Sequence, residues 1–145
     1  MKTLYTWYSI YSRCEKIVKE LKEKYTDIMD YEIVGISRGG LVPAVIISNL
    51  LGIRKVYSFG LKTYKDQEKE SAEIYQIPYL ANNNKILLID DISDTGESFE
   101  IVKKLYSHKE LITVSVYMKE KTKFAPDVVG ENIDNNIWVV FPWEP

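Results

Sequence analysis

The chain has 145 residues, 46% of them hydrophobic, and sets 19 Lys and Arg against 21 Asp and Glu for a formal net charge of -2. That length suits one domain, residues 1–145, with a substantial core, and the near-neutral balance argues against a non-specific nucleic-acid binder. Cys14 is the only cysteine, which rules out an intramolecular disulfide or a cysteine zinc site and fits a reducing cytoplasm.

The opening Met1-Lys2-Thr3-Leu4-Tyr5 has no signal-peptide pattern, and no apolar run reaches membrane-spanning length, so the expected setting is cytoplasmic with no membrane partner. Residues 7–28 have helical periodicity: Trp7, Ile10, Cys14, Ile17, Val18, Leu21 and Tyr25 share one face. Cys14 on that stripe reads as a packed thiol. Residues 31–36 read as a buried strand ending in Ser37-Arg38-Gly39-Gly40, and 41–51 as a helix closed by Gly52. Paired glycines between strand and helix allow a tight turn whose N–H groups converge on an anion, with Arg38 adding fixed positive charge.

Residues 55–61 read as the next strand. After Thr63-Tyr64 the charged run 65–71 carries little apolar content and reads as a solvated, mobile loop, with 73–77 as a returning strand. Asn82-Asn83-Asn84 turns the chain into an apolar run that stops at two carboxylates: Ile86-Leu87-Leu88-Ile89-Asp90-Asp91. Ile92-Ser93-Asp94-Thr95-Gly96-Glu97-Ser98 follows, then a helix over 99–106. A loop that feeds a helix N-terminus presents N–H groups and the positive end of the dipole to phosphate. Gly96 allows positive φ, Thr95 and Ser98 add hydroxyls, and Asp94 or Thr95 could serve as a cap. Asp90 and Asp91 suit a diol, a hydrated magnesium ion, or both. His108 reads as an exposed loop residue. Residues 111–118 form another strand, followed by Lys119-Glu120-Lys121. Residues 126–130 read as a turn-rich connection, and the chain closes with an aromatic segment, 137–145.

The stretch 86–98 resembles the phosphoribosyl pyrophosphate (PRPP) signature of the type I phosphoribosyltransferases: an apolar strand, two acids, two variable residues, Asp or Ala, Thr-Gly and a further Thr or Ser. Residues 37–64 are similar to the bacterial xanthine-guanine members of that family, through Ser-Arg-Gly-Gly-Leu-Val-Pro, Leu-Gly-Ile-Arg and Thr63-Tyr64. The resemblance implies transfer of ribose 5-phosphate from PRPP to a 6-oxopurine (guanine, xanthine or hypoxanthine), with release of pyrophosphate, in purine salvage. It implies Mg2+ as cofactor and a homo-oligomer, dimer or tetramer.

The resemblance also distributes roles. Ser37, Arg38, Gly39, Gly40, Thr63 and Tyr64 would meet pyrophosphate, the last two on a lid, with a strained or cis peptide entering the glycine turn. Asp94, Thr95, Gly96, Glu97 and Ser98 would cradle the 5′-phosphate, although Glu97 departs from the small or basic residues usual there. Asp90 and Asp91 would hold ribose and metal, and Glu144 would lie near a magnesium ion. Asp94 would be the catalytic residue beside the purine. Lys119 would donate to the 6-oxo group, Trp138 would stack on the base, and the Val139 backbone would read its edge, all in a short C-terminal hood.

Strands alternating with helices independently predict an α/β fold with a mainly parallel sheet, whose ligands bind at the carboxyl ends of strands. Residues 37–40, 63–64, 90–98, Lys119 and the Trp138 region each follow or end an expected strand, so all should share one face. The contrasting reading is a non-catalytic PRPP- or nucleotide-binding regulator of the same fold. A pyrimidine- or nicotinate-specific enzyme fits the residues less well, because Asp94 argues for a 6-oxopurine.

Overall fold

The computed structural model describes residues 2–66, 69–80 and 83–145. Its centre is a six-stranded sheet of β2 (Glu32–Ser37), β3 (Val56–Asp66), β4 (Lys69–Gln76), β5 (Lys85–Ser93), β6 (Glu110–Lys119) and β7 (Val128–Ile133). The spatial order is β4-β3-β2-β5-β6-β7. All pairs are parallel except β3 with β4, which form an antiparallel hairpin. A second, two-stranded parallel sheet joins β1 (Lys2–Leu4) to β8 (Trp138–Val140).

The helices α1 (Trp7–Lys24) and α2 (Leu41–Leu51) share one core, and α3 (Glu97–Leu105) belongs to the other. Strand period decides which face each residue feeds. Leu87 and Ile89 join Ile10, Cys14, Ile17 and Ile47, whereas Ile86 and Leu88 join Phe59, Phe99 and Val102. The central strand is apolar on both faces because both are covered. In α1, Thr6 and Ser9 cap each other reciprocally. Gly52 closes α2 at φ 82°, a left-handed position suited to glycine.

Several local expectations change. The helix expected over 7–28 stops at Lys24, and a single 3-10 turn follows at Ile28–Asp30. The charged run expected as a loop is strand as far as Asp66 and again from Lys69; Gln67 and Glu68, within that expected lid, lie outside the described residues, as does Asn82 of the expected turn. Ladder hydrogen bonds on a hairpin do not require apolar side chains, so a charge run does not exclude a strand. Residues 126–130 are turn only at first: β7 begins at Val128 and pairs with β6. Asp90 and Asp91 do not end their strand, which runs on to Ser93 beside β6. The Ser37–Arg38 peptide is cis.

Candidate active site

The glycine turn and the acidic end of β5 are built against each other. Asp90 is 8% exposed. Its Oδ1 accepts the Asp91 N–H at 2.8 Å, and Asp91 Oδ1 accepts the Ile92 N–H at 2.8 Å. A Cβ on Gly39 would overlap Asp91 Oδ2. One on Gly40 would stand 2.5 Å from the Ile36 carbonyl and 2.7 Å from that of Ile89. Only glycine therefore lets the turn at the end of β2 lie on the carboxylates of its neighbour. Burial first, then the negative charge of Asp91, pushes the Asp90 carboxyl well above the usual carboxylate range. Burial also raises Asp91; hydrogen bonds from Asp90 and the Ile92 N–H oppose it, and the Glu144 charge adds to it.

Beyond the acids, the loop turns into α3 through Gly96, at φ 89°. Gly96 itself holds the N-cap position, so neither Asp94 nor Thr95 stands there. Thr95 Oγ1 accepts the Glu97 N–H at 3.3 Å. A cavity of about 480 Å3 opens here, lined by Thr63, Tyr64 and residues 90–99, with Glu97 among them. The chain after β6 straps this loop from below. Ser93 Oγ lies 2.8 Å from Thr122 Oγ1 and donates to the Phe124 carbonyl at 2.9 Å, while the Lys123 N–H donates to the Thr95 carbonyl at 2.9 Å. Phe124 stacks on Phe99 at 5.1 Å.

The end of β6 and the strap each bring one ammonium group to Asp94. Lys119 Nζ lies 3.6 Å and Lys121 Nζ 3.1 Å from Asp94 Oδ1. Lys119 is 9% exposed, so its stem is packed while its head reaches the carboxylate. The sequence reading singled out Lys119 and passed over Lys121. Lys121 lies in the turn just past the end of β6, and that shared carboxyl-end position was the available signal. The Lys121 N–H also donates to Asn135 Oδ1 at 2.8 Å, which ties the strap to the turn before β8.

Trp138 is 63% exposed, with Lys2 Nζ 4.7 Å above its ring. Val139 is buried beside it. Glu144 Oε2 accepts the Phe141 N–H at 2.8 Å, and Phe141 stacks on Trp143 at 4.6 Å. At the other edge, Arg38 is exposed on the glycine turn. The buried Ser37 hydroxyl hydrogen-bonds the hydroxyl of Tyr75, a residue the sequence reading missed. His108 is exposed, as expected.

The donor set fits a hydrated magnesium ion. Asp90 and Asp91 each commit one oxygen to a backbone N–H, and once the pair ionises the remaining oxygens suit a hard cation. Among the described residues no three His, Cys, Asp or Glu side chains gather as a metal cluster. Such an ion would thus rest on two carboxylates and complete its shell with substrate and water oxygens, as magnesium commonly does. Among the described residues no helix is long and apolar enough to cross a membrane.

Comparison with known proteins places the chain in a family. A family model described as phosphoribosyl transferase domain matches residues 1–145. A xanthine-guanine phosphoribosyltransferase of Cereibacter sphaeroides is 35% identical over 115 residues, covering 77% of this chain and 68% of its own. The enzyme of the same name from Ruegeria is 31% identical over 120 residues, covering 77% and 67%. The crystal structure of a purine phosphoribosyltransferase from Pyrococcus horikoshii superposes with a TM-score of 0.83 at 31% identity, covering 99% of this chain and 94% of that one.

Proposed function

Because the chain belongs to the phosphoribosyltransferase family, we propose that this enzyme, acting as one domain over 1–145, transfers ribose 5-phosphate from PRPP to a 6-oxopurine and releases pyrophosphate. Guanine, xanthine and hypoxanthine are the candidate bases, and purine salvage in the cytoplasm is the setting. The observation that carries the reading is the seating of Asp90 and Asp91 between the glycine turn and the loop that starts α3. In that seating the glycine turn would receive an anion, the acid pair a diol and the helix start a phosphate. The xanthine-guanine relatives support the choice of purine.

In this reading the N–H groups at the start of α3, with Thr95 and Ser98, bind the 5′-phosphate. Glu97 begins the helix, so its backbone N–H serves this loop, while its acidic side chain lines the same cavity. Asp90 and Asp91 accept hydrogen bonds from the ribose hydroxyls, each worth roughly 1.5–3 kcal/mol as charge-assisted bonds. The amides of Gly39 and Gly40, with Ser37, Arg38, Thr63 and Tyr64, hold pyrophosphate. As the anomeric C–O bond breaks, its electron pair leaves with pyrophosphate, and Arg38 offsets the growing charge. Asp90 and Asp91 would hold a magnesium ion, with Glu144 near it, and the ion would supply Lewis-acid stabilisation of that leaving group. Asp94 accepts the proton that leaves the purine's five-membered ring, and Lys119 donates to the 6-oxo oxygen. Trp138 stacks on the base and the Val139 backbone reads its edge. The active form is a homodimer or tetramer.

The test is a panel of guanine, xanthine, hypoxanthine, adenine, uracil and nicotinate with PRPP and magnesium, read by chromatography. Nucleotide from at least one 6-oxopurine is expected. Tight PRPP or nucleotide binding with no turnover on any base would mean that the chain is a regulator instead.

A further inference from the structure

The hairpin edge of the sheet contains a residue that the proposed chemistry leaves without a role. Along most of the β3–β4 ladder the partners advance one for one, but Gly60 pairs with Gln76 and Leu61 with Ile74. Tyr75 is the extra residue of a β-bulge, a device that re-aims one side chain out of the regular alternation. Its ring lies against Gly60, where a Cβ would stand 2.6 Å from Cε1 and 2.8 Å from Cδ1. Gly60 in turn is the sheet partner of Ser37 across β2 and β3. The ring thus crosses over Gly60 and carries its hydroxyl to Ser37 Oγ, at the entrance to the glycine turn. Bulge, glycine and hydroxyl acceptor each serve the same contact, and the hairpin would be simpler without any of them.

Resting on the reading of residues 37–40 as the pyrophosphate turn, we propose that Tyr75 is a positioning residue for pyrophosphate recognition, acting through Ser37. A serine hydroxyl has one proton and rotates freely unless a neighbour fixes it. When the Tyr75 O–H donates to Ser37 Oγ, the serine proton is left to donate to a phosphate oxygen, so the two hydroxyls form a directed chain toward the ligand. The contact also fastens the hairpin that carries Thr63 and Tyr64 to the turn at the end of β2. Tyr75 is 55% exposed, so replacing its hydroxyl leaves the core undisturbed.

The experiment measures steady-state kinetics of wild type, Tyr75→Phe, Ser37→Ala and the double variant, in both directions, with thermal melts alongside. Tyr75→Phe keeps the ring on Gly60 and removes only the hydroxyl. It is expected to raise KM for PRPP, and for pyrophosphate in the reverse direction, by about three- to tenfold, the range for one lost neutral hydrogen bond. KM for the base and the melting temperature should stay as in wild type. Added to Ser37→Ala, it should cost nothing further, because its effect passes through that hydroxyl. Gly60→Ala, which displaces the ring, should reproduce the same KM pattern. Equal KM values in wild type and Tyr75→Phe, additive losses in the double variant, or a rise in base KM of the same size would overturn the role of Tyr75. A wild type that is inactive with every base would instead overturn the functional reading beneath it.

Discussion

Gly39 and Asp91 claim the same space: the position a side chain at 39 would fill is already held by Asp91 Oδ2. Gly40, one residue on, is closed by backbone instead, with the Ile36 and Ile89 carbonyls at 2.5 and 2.7 Å from its missing Cβ and Asp90 Cα at 3.0 Å. The two glycines should therefore fail differently. Gly39→Ala turns the Asp91 carboxylate aside while the backbone stays, so the protein should fold with near-normal stability but lose PRPP affinity, on the order of tenfold or more for a displaced charged acceptor. Gly40→Ala has no side chain to push, so β2 and β5 must separate, a strain of about 1–3 kcal/mol or more. Denaturant melts and PRPP KM on both variants decide this; equal loss of stability in the two would contradict it.

Asp90 sets a pH dependence for the metal-free protein. Its pKa is raised in the folded chain by burial and by Asp91. The native state thus retains a proton that the unfolded chain has already released, and stability is full at low pH. It falls as pH climbs from the ordinary carboxylate range through the raised value, by about 1.4 kcal/mol for each pH unit between the two. In EDTA the wild-type melting temperature should fall as pH rises above the ordinary carboxylate range and stay flatter in Asp90→Asn. That variant should exceed wild type at pH 8 while losing activity. A lower melting temperature for Asp90→Asn at pH 8 would refute the argument.

Cys14 illustrates a residue whose burial settles its chemistry. It lies fully buried on α1, and burial pushes the thiol up to about 12. At pH 8 almost no thiolate forms, and thiolate is the reactive species. A disulfide reagent should leave the native protein unlabelled at pH 8 and label one thiol per chain in guanidinium. Rapid native labelling would mean that α1 opens far more readily than its packing implies.

What the sequence made legible was whatever the chain states locally. The 86–98 stretch announces a buried strand, paired acids and a glycine before a helix, all within one short window. The bounds of α2 are equally plain, because Gly39-Gly40 and Gly52 mark both ends. Contacts between distant segments stayed hidden. β1 is three residues long, and its strand partner β8 lies at the other end of the chain. β7 is preceded by Pro126-Asp127 and contains Gly130, which read as turn chemistry. Yet Gly130 is needed because a Cβ there would stand 2.5 Å from the Val116 carbonyl. Lys121 and Tyr75 belong to the same class, since each matters through an atom that only the fold brings near.

Asp94 provides the sharpest separation of the two substrates. It pairs with Lys121 at 3.1 Å and Lys119 at 3.6 Å, whereas Asp91 is the acid that lies against Gly39. If Asp94 takes the purine proton, Asp94→Asn removes the acceptor while keeping its size, and kcat should fall by roughly 10²–10⁴-fold, the usual worth of general acid–base catalysis. KM for PRPP should change little, because the phosphate loop and the glycine turn remain. Lys121→Ala removes a half-exposed partner, so stability should change by less than about 1 kcal/mol. Its effect should appear as a several-fold rise in KM for the base, since Asp94 loses the cation that orients it while Lys119 stays. Steady-state kinetics with each substrate varied in turn provides the check. A rise in PRPP KM that matched the fall in kcat for Asp94→Asn would move Asp94 out of the base subsite and into the PRPP site, and Lys121 with it.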